Sequence, residues 1–226
     1  MTASAAAAPS GVAYVKTAAG LDFARVWSSI SSVAPEKPPK SILFVSPGPR
    51  QGASTLAAGA ALTAAQANPD LRLGLLDCNF RAPMMERLFQ IPASPGTVDA
   101  LAGTTDPDQL GYALGVHSNL SVIPSGQVGD DPLALLRRQG IVTLLNSLAG
   151  RFDVLVVDVA PINQYPDAQI IAPMFDAVVM VVDVGQAPRE AVAKAKQIIQ
   201  SAGANLFGTV LNRRRHPVPK IIYSRA

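Results

Sequence analysis

Short apolar runs recur along the chain, separated by longer stretches with helical spacing. ILFV (42–45), VLVV (154–157) and VVMVV (178–182) are apolar at every position. A strand with one wet face alternates apolar and polar residues, so these unbroken runs predict strands covered on both faces. Residues 71–76, 120–123 and 206–211 are further strand candidates. Helices are predicted over 22–33, 55–67, 97–101 and 188–202, with another running on from Pro132. Asn68-Pro69 stops the second of these, Gly203 closes the one over 188–202, and Asp131 is an N-cap with proline at the first helical position. Strands alternating with helices predict an α/β fold: a doubly wound, mainly parallel sheet with helices on both faces. No internal repeat breaks this pattern.

Residues 21–212 are expected to form one domain. Residues 1–20 are rich in Ala, Ser and Gly and are expected to be flexible, and APEKPPK (34–40) is a proline-bearing linker. RRRHPVPKIIYSRA (213–226) is expected to be a solvated basic tail. The 226 residues suffice for one large domain with a substantial core. Hydrophobic content is 49% but aromatics are only 5%, which suits small residues packing helices closely on a sheet. A net charge of +3 is mild and does not by itself imply a nucleic-acid partner. Cys78 is the only cysteine, which excludes an intrachain disulfide framework and a thiolate metal cluster and suits a reducing compartment. His117 and His216 are isolated, with no metal-ligand spacing between them. The start of the chain lacks the basic and long apolar regions of a secretory signal, and no apolar run approaches the ~20 residues of a membrane span. A cytoplasmic protein is expected.

Candidate chemistry gathers where ligands bind in such sheets, beyond the carboxyl ends of the strands. Four polar features fall there: the 46–55 loop, residues 77–81 (DCNFR), Asp158 and Asp183. The loop reads SPGPRQGAST between a strand and an alanine-rich helix. This is the layout of a phosphate-binding loop, with Ala53 where such a loop carries lysine. A Gly/Pro-rich turn before a helix is also an ordinary connection. Paired with a strand-terminal aspartate after VLVV, it becomes a nucleotide-site candidate. Backbone N–H groups around Gly52 and the helix start suit a phosphate, Ser54 suits direct contact with magnesium, and Asp158 suits contact through water. Asp183 reads equally well as a cap or bridge, and Cys78 as a packed thiol.

Several longer segments resemble the bacterial tyrosine kinases of capsule and exopolysaccharide export, within the partitioning-ATPase group of P-loop proteins. LLDCNFRAP followed by LFQIPASPGTVDALAG is similar to their second acidic motif and the leucine-rich run behind it. IPSGQVGDDPLALL resembles a P-x-G…P-x-x-L-L segment, and FDVLVVDVAPINQYPDAQIIAPMFDAVVMVV resembles the Walker B region and following strand. Gly208 and the VLN at 210–212 fit the last strand, so the resemblance covers about residues 21 to 212. It implies a P-loop NTPase-like fold and an ATP or ADP site with magnesium. Gly48, Arg50, Gly52, Ala53, Ser54, Thr55 and Arg81 would surround the nucleotide. Asp77 and Asp158 would be the catalytic carboxylates, and Ser54, Asp77 and Asp158 would hold magnesium.

The departures are specific. Ala53 removes the lysine charge, Asn79 replaces a second acidic residue, and Tyr223 alone stands in the tail where the family has a tyrosine cluster. Asp22-x-x-Arg25-x-x-Ser28 resembles an E-x-x-R-x-x-R subunit-contact helix without its last arginine, making Asp22 and Arg25 interface candidates. The sequence thus suggests a degenerate member with weak nucleotide binding and little turnover. Such a protein would regulate polysaccharide export through the cytoplasmic segments of a membrane chain-length regulator, or through sister kinase subunits. The rival reading is a working tyrosine kinase or ATPase, with Ala53 compensated by Arg50 or introduced deliberately. A DNA-partitioning ATPase is a further alternative.

Overall fold

The computed structural model describes residues 18–33, 38–115, 117–129, 131–136 and 138–213. Its strands are β1 (Ser41–Val45), β2 (Leu73–Cys78), β3 (Tyr112–Leu114), β4 (His117–Ile123), β5 (Val154–Val159), β6 (Ala177–Asp183) and β7 (Leu206–Asn212). Its helices are α1 (Ala18–Val33), α2 (Ala53–Ala67), α3 (Met85–Phe89), α4 (Thr97–Leu101), α5 (Pro132–Leu135), α6 (Arg138–Arg151), α7 (Asp167–Ile171) and α8 (Arg189–Ser201). The strands form one sheet in the order β3-β4-β2-β5-β1-β6-β7. Only the β3–β4 pairing is antiparallel. The expected doubly wound sheet is present, and β1 sits inside it between β5 and β6.

The apolar runs act as their composition requires. Alternate residues of β1 enter opposite cores: Ile42 and Phe44 face α1 and α2, while Leu43 and Val45 face the side holding α6, α7 and α8. All four are fully buried. Helix α2 lies between the sheet and α1, and small residues let it be buried on nearly all sides. At Gly59 a Cβ would stand 2.5 Å from Phe23 Cγ, so the missing side chain is what allows α1 to seat its aromatic ring.

Several boundaries differ from the sequence expectations. Strand β2 begins at Leu73 rather than 71, because the Arg72 backbone N–H goes to the Asp153 carboxylate (2.8 Å), which its guanidinium also grips. The helix predicted onward from Pro132 is two helices, α5 and α6. Helix α2 starts two residues early, at Ala53, and residues 18–20, expected in the flexible segment, belong to α1. The short elements β3, α3 and α7 went unpredicted. Residues 1–17, the linker residues 34–37 and the tail from 214 onward lie outside the described residues.

Candidate functional site

All four polar features expected at strand ends lie at the carboxyl edge of the sheet, and the loop between β1 and α2 forms its centre. The Ser46 hydroxyl donates to the Gly48 carbonyl (2.8 Å), closing the first half of the loop. Gly52 has φ +94°, a left-handed conformation that suits glycine. A Cβ there would stand 2.3 Å from Asn212 Nδ2, which donates to the Gln51 carbonyl (2.9 Å). The end of β7 thus fixes the loop by close approach. The first intrahelical bond of α2 runs from Leu56 N–H to the Gly52 carbonyl, so the N–H groups of 53–55 lack helical acceptors. Ala53, Ser54 and Thr55 line a cavity of about 520 Å³, facing Asn79, Arg81 and Tyr165 among others. Oriented N–H groups and the helix dipole favour an anion there.

Two carboxylates lie under this cavity rather than on its wall. Asp77 and Asp158 are register partners at the ends of adjacent strands, both without solvent exposure. Asp77 accepts from the backbone N–H groups of Asn79 (2.9 Å), Met84 (2.9 Å) and Met85 (3.1 Å). It therefore holds the start of α3 as well as its own strand end. Burial pushes its pKa up to about 6 against those hydrogen bonds, which favour the charged form. Asp158 is also pushed well above the ordinary carboxylate range, by burial first and then by the Asp77 charge. Ser54 and Asn79 side chains lie near enough to favour its ionised form, yet neither Asp158 oxygen completes a hydrogen bond. A buried carboxylate in that condition suits a cation or water as partner.

The cations around the cavity are differently placed. Arg81 is paired through Nε (3.0 Å) and Nη2 (3.2 Å) with both oxygens of Asp167, which is fully buried. Its guanidinium also lies 4.8 Å from the Tyr165 ring centre. Asp167 opens the DA of PDAQ within the Walker-B-like segment, so the signal for it was present although the residue was not singled out. Arg213, expected in the solvated tail, is instead bound to the domain: its Nη1 donates to Asp183 Oδ2 (2.8 Å) and to the Arg50 carbonyl (3.0 Å). Asp183, buried, also accepts from Gly185 N–H (2.9 Å), so it is both cap and bridge. Arg50 is exposed, at φ +58° on the loop.

Arg50, Gly52, Ala53, Ser54, Thr55 and Arg81 all reach the cavity, whereas Gly48 does not line it. Arg25 lies on α1 by a shallow depression it shares with Ser28 and Ser32, and the Asp22 side chain falls outside the described residues. Cys78 is a fully buried thiol, its pKa pushed up by burial.

No family model matches the chain. CapB of Staphylococcus aureus, a tyrosine-protein kinase by name, is 30% identical over 192 residues, spanning 84% of this chain and 82% of its own. The tyrosine-protein kinase CpsD of Streptococcus agalactiae is 31% identical over 164 residues, 72% of this chain and 70% of its own. This chain belongs to the bacterial tyrosine kinase family. The crystal structure of the chimerical protein CapA2B2 superposes with a TM-score of 0.81 at 28% identity, covering 89% of this chain and 87% of that one. The site combines the loop, Arg81 and the buried Asp77 and Asp158 with Ala53 and Asn79.

Proposed function

We propose that this chain is a regulatory member of its kinase family, binding ATP or ADP weakly and turning it over slowly or not at all. It would act in capsule or exopolysaccharide export by contact with a membrane chain-length regulator or with sister kinase subunits. The observation that carries the reading is Ala53. It stands at the first position of α2 on the cavity wall, and among the described residues no lysine lines that cavity. Phosphoryl transfer relies on positioned positive charge at the oxygens where charge develops, and an alanine methyl group supplies none. Asn79 deepens the loss, since an amide cannot serve as a carboxylate base.

What remains suits binding. The free N–H groups at the start of α2 would take phosphate oxygens. Ser54 and Asp158 would hold magnesium, which Asp158 fits because its buried oxygens complete no hydrogen bond. Bound there, magnesium would neutralise phosphate charge. Asp77 is a weaker metal candidate, since both its oxygens already accept backbone N–H groups. Asp158 lies on a fully buried, otherwise apolar strand, where low local polarity strengthens electrostatic interactions.

Calorimetry with Mg·ATP and Mg·ADP, beside a turnover assay, tests this reading. Turnover well below the ~1–100 s⁻¹ usual for kinases is expected. Ala53→Lys should tighten nucleotide binding by about 10-fold or more, the effect of one charge-assisted contact. Tyrosine phosphorylation by the unaltered chain at ordinary kinase rates would refute it, as would binding that neither magnesium nor Ser54→Ala alters.

A further inference from the structure

We infer that Arg213 supplies the phosphate-binding cation that Ala53 does not, contacting the phosphates of a bound nucleoside di- or triphosphate. The inference rests on the nucleotide-binding reading of the cavity. Three arginines, Arg50, Arg81 and Arg213, reach that cavity. They are not equivalent.

Arg81 is paired at both Nε and Nη2 with a fully buried aspartate, so its fork is turned to Asp167. Arg50 projects from an exposed loop position, and its guanidinium makes no hydrogen bond or ion pair among the described residues. Ordering it on a ligand would cost side-chain entropy. Arg213 is held beforehand. Nη1 alone bonds the Asp183 carboxylate and the Arg50 carbonyl, and Asp183 is itself buried at the end of β6. That leaves the Nε and Nη2 donors, an edge whose geometry suits two phosphate oxygens. Its side chain remains 55% exposed, so a ligand entering the cavity can reach it.

Position supports the same assignment. Asn212, the neighbouring residue, bonds the Gln51 carbonyl and packs against Gly52, while Arg213 bonds the carbonyl of Arg50. The end of β7 is therefore fastened to the phosphate loop at two successive carbonyls. An arginine fixed there is pre-organised relative to the N–H groups of 53–55, and pre-organisation is what turns a contact into affinity. Asp183 is a positioning residue for it.

The test uses the full chain with Mg·ADP and Mg·ATP, measuring Kd across a range of salt concentrations. Arg213→Gln should weaken binding by about 10-fold or more and make its salt dependence shallower. A loss of folding alone would not change that slope, and equal melting temperatures confirm the comparison. Arg213→Lys, which keeps the charge but not the fork, should lie between the two. Arg50→Gln, on the cavity arginine that no partner among the described residues holds in place, should weaken binding less than Arg213→Gln does. Measurable binding that Arg213→Gln leaves unchanged, or that Arg50→Gln abolishes instead, overturns the role of Arg213 while the nucleotide site stands. No binding by the unaltered chain overturns both.

Discussion

Asp158 presents the sharpest conflict at the scale of single residues. It is fully buried, completes no hydrogen bond and faces a second carboxyl at its register partner Asp77. Asp77 ionises near pH 6 when folded, against 3.8 for its ordinary value, so the folded state holds a proton that the unfolded state releases. The stability contributed is full below about pH 4 and is lost as pH rises through about 6, on the order of 3 kcal/mol. Asp153, drawn down to about 2 by Arg72, titrates outside that window. Urea unfolding in the presence of a chelator should therefore show stability falling from pH 4.5 to 6.5. Asp158→Asn should flatten the slope and stabilise the protein at pH 7.5. A stability curve that rises over this interval would rule out the buried pair as described. Active sites commonly retain such unfavourable charge for function. Ala53 and Asn79 stood out in the sequence because the motif they resemble assigns each position a chemical task. Arg213 did not, since a run of three arginines reads as solvated charge until the fold brings Asp183 beside it.

At the scale of elements, long apolar runs proved legible and short pieces did not. Strands β1, β5 and β6 have no polar face, and burial on both sides is the only arrangement that satisfies them. Helix α3 is five residues long and begins with two N–H groups bonded to Asp77, a residue of a different element. No local signal announces a helix stabilised in that way. The three-residue β3 likewise exists through its pairing with β4. The α1–α2 contact allows a direct test. At Gly59 a Cβ would lie 2.5 Å from Phe23 Cγ, the stem of the ring rather than its tip, so the ring cannot swing aside cheaply. Gly59→Val should displace Phe23, cost about 1–3 kcal/mol and raise hydrogen exchange in α1 before the sheet is affected. Unchanged protection in α1 would show that Phe23 does not anchor it.

For the whole molecule the open matter is assembly. Among the described residues no helix is long and apolar enough to cross a membrane. Arg25 and Ser28 lie together on α1, and in the sequence resemblance Ser28 falls where a subunit-contact helix would carry a further arginine. Under the proposed function the missing arginine would leave one inter-subunit ion pair unmade, and self-association is expected to be weaker than in relatives that make it. Light scattering is expected to give a monomer or small oligomer, with larger complexes only in the presence of a chain-length regulator's cytoplasmic segments. A stable large ring formed by the chain alone would contradict this, and failure to capture any export component would remove the partner assignment.

The layering of the fold was legible in the chain alone. Apolar periodicity follows from burial, and glycine, proline and capping residues mark turns through local sterics and hydrogen bonding. Both act over a few residues and can be read from a few residues. The tertiary structure decided which charged groups meet: Arg81 with Asp167, Arg213 with Asp183, Asp77 beside Asp158. Each pair joins residues far apart in the chain, and nothing local distinguishes a paired arginine from a solvated one. Their protonation, orientation and availability to a ligand depend on burial and on partners, which come into being only when the sheet closes around β1.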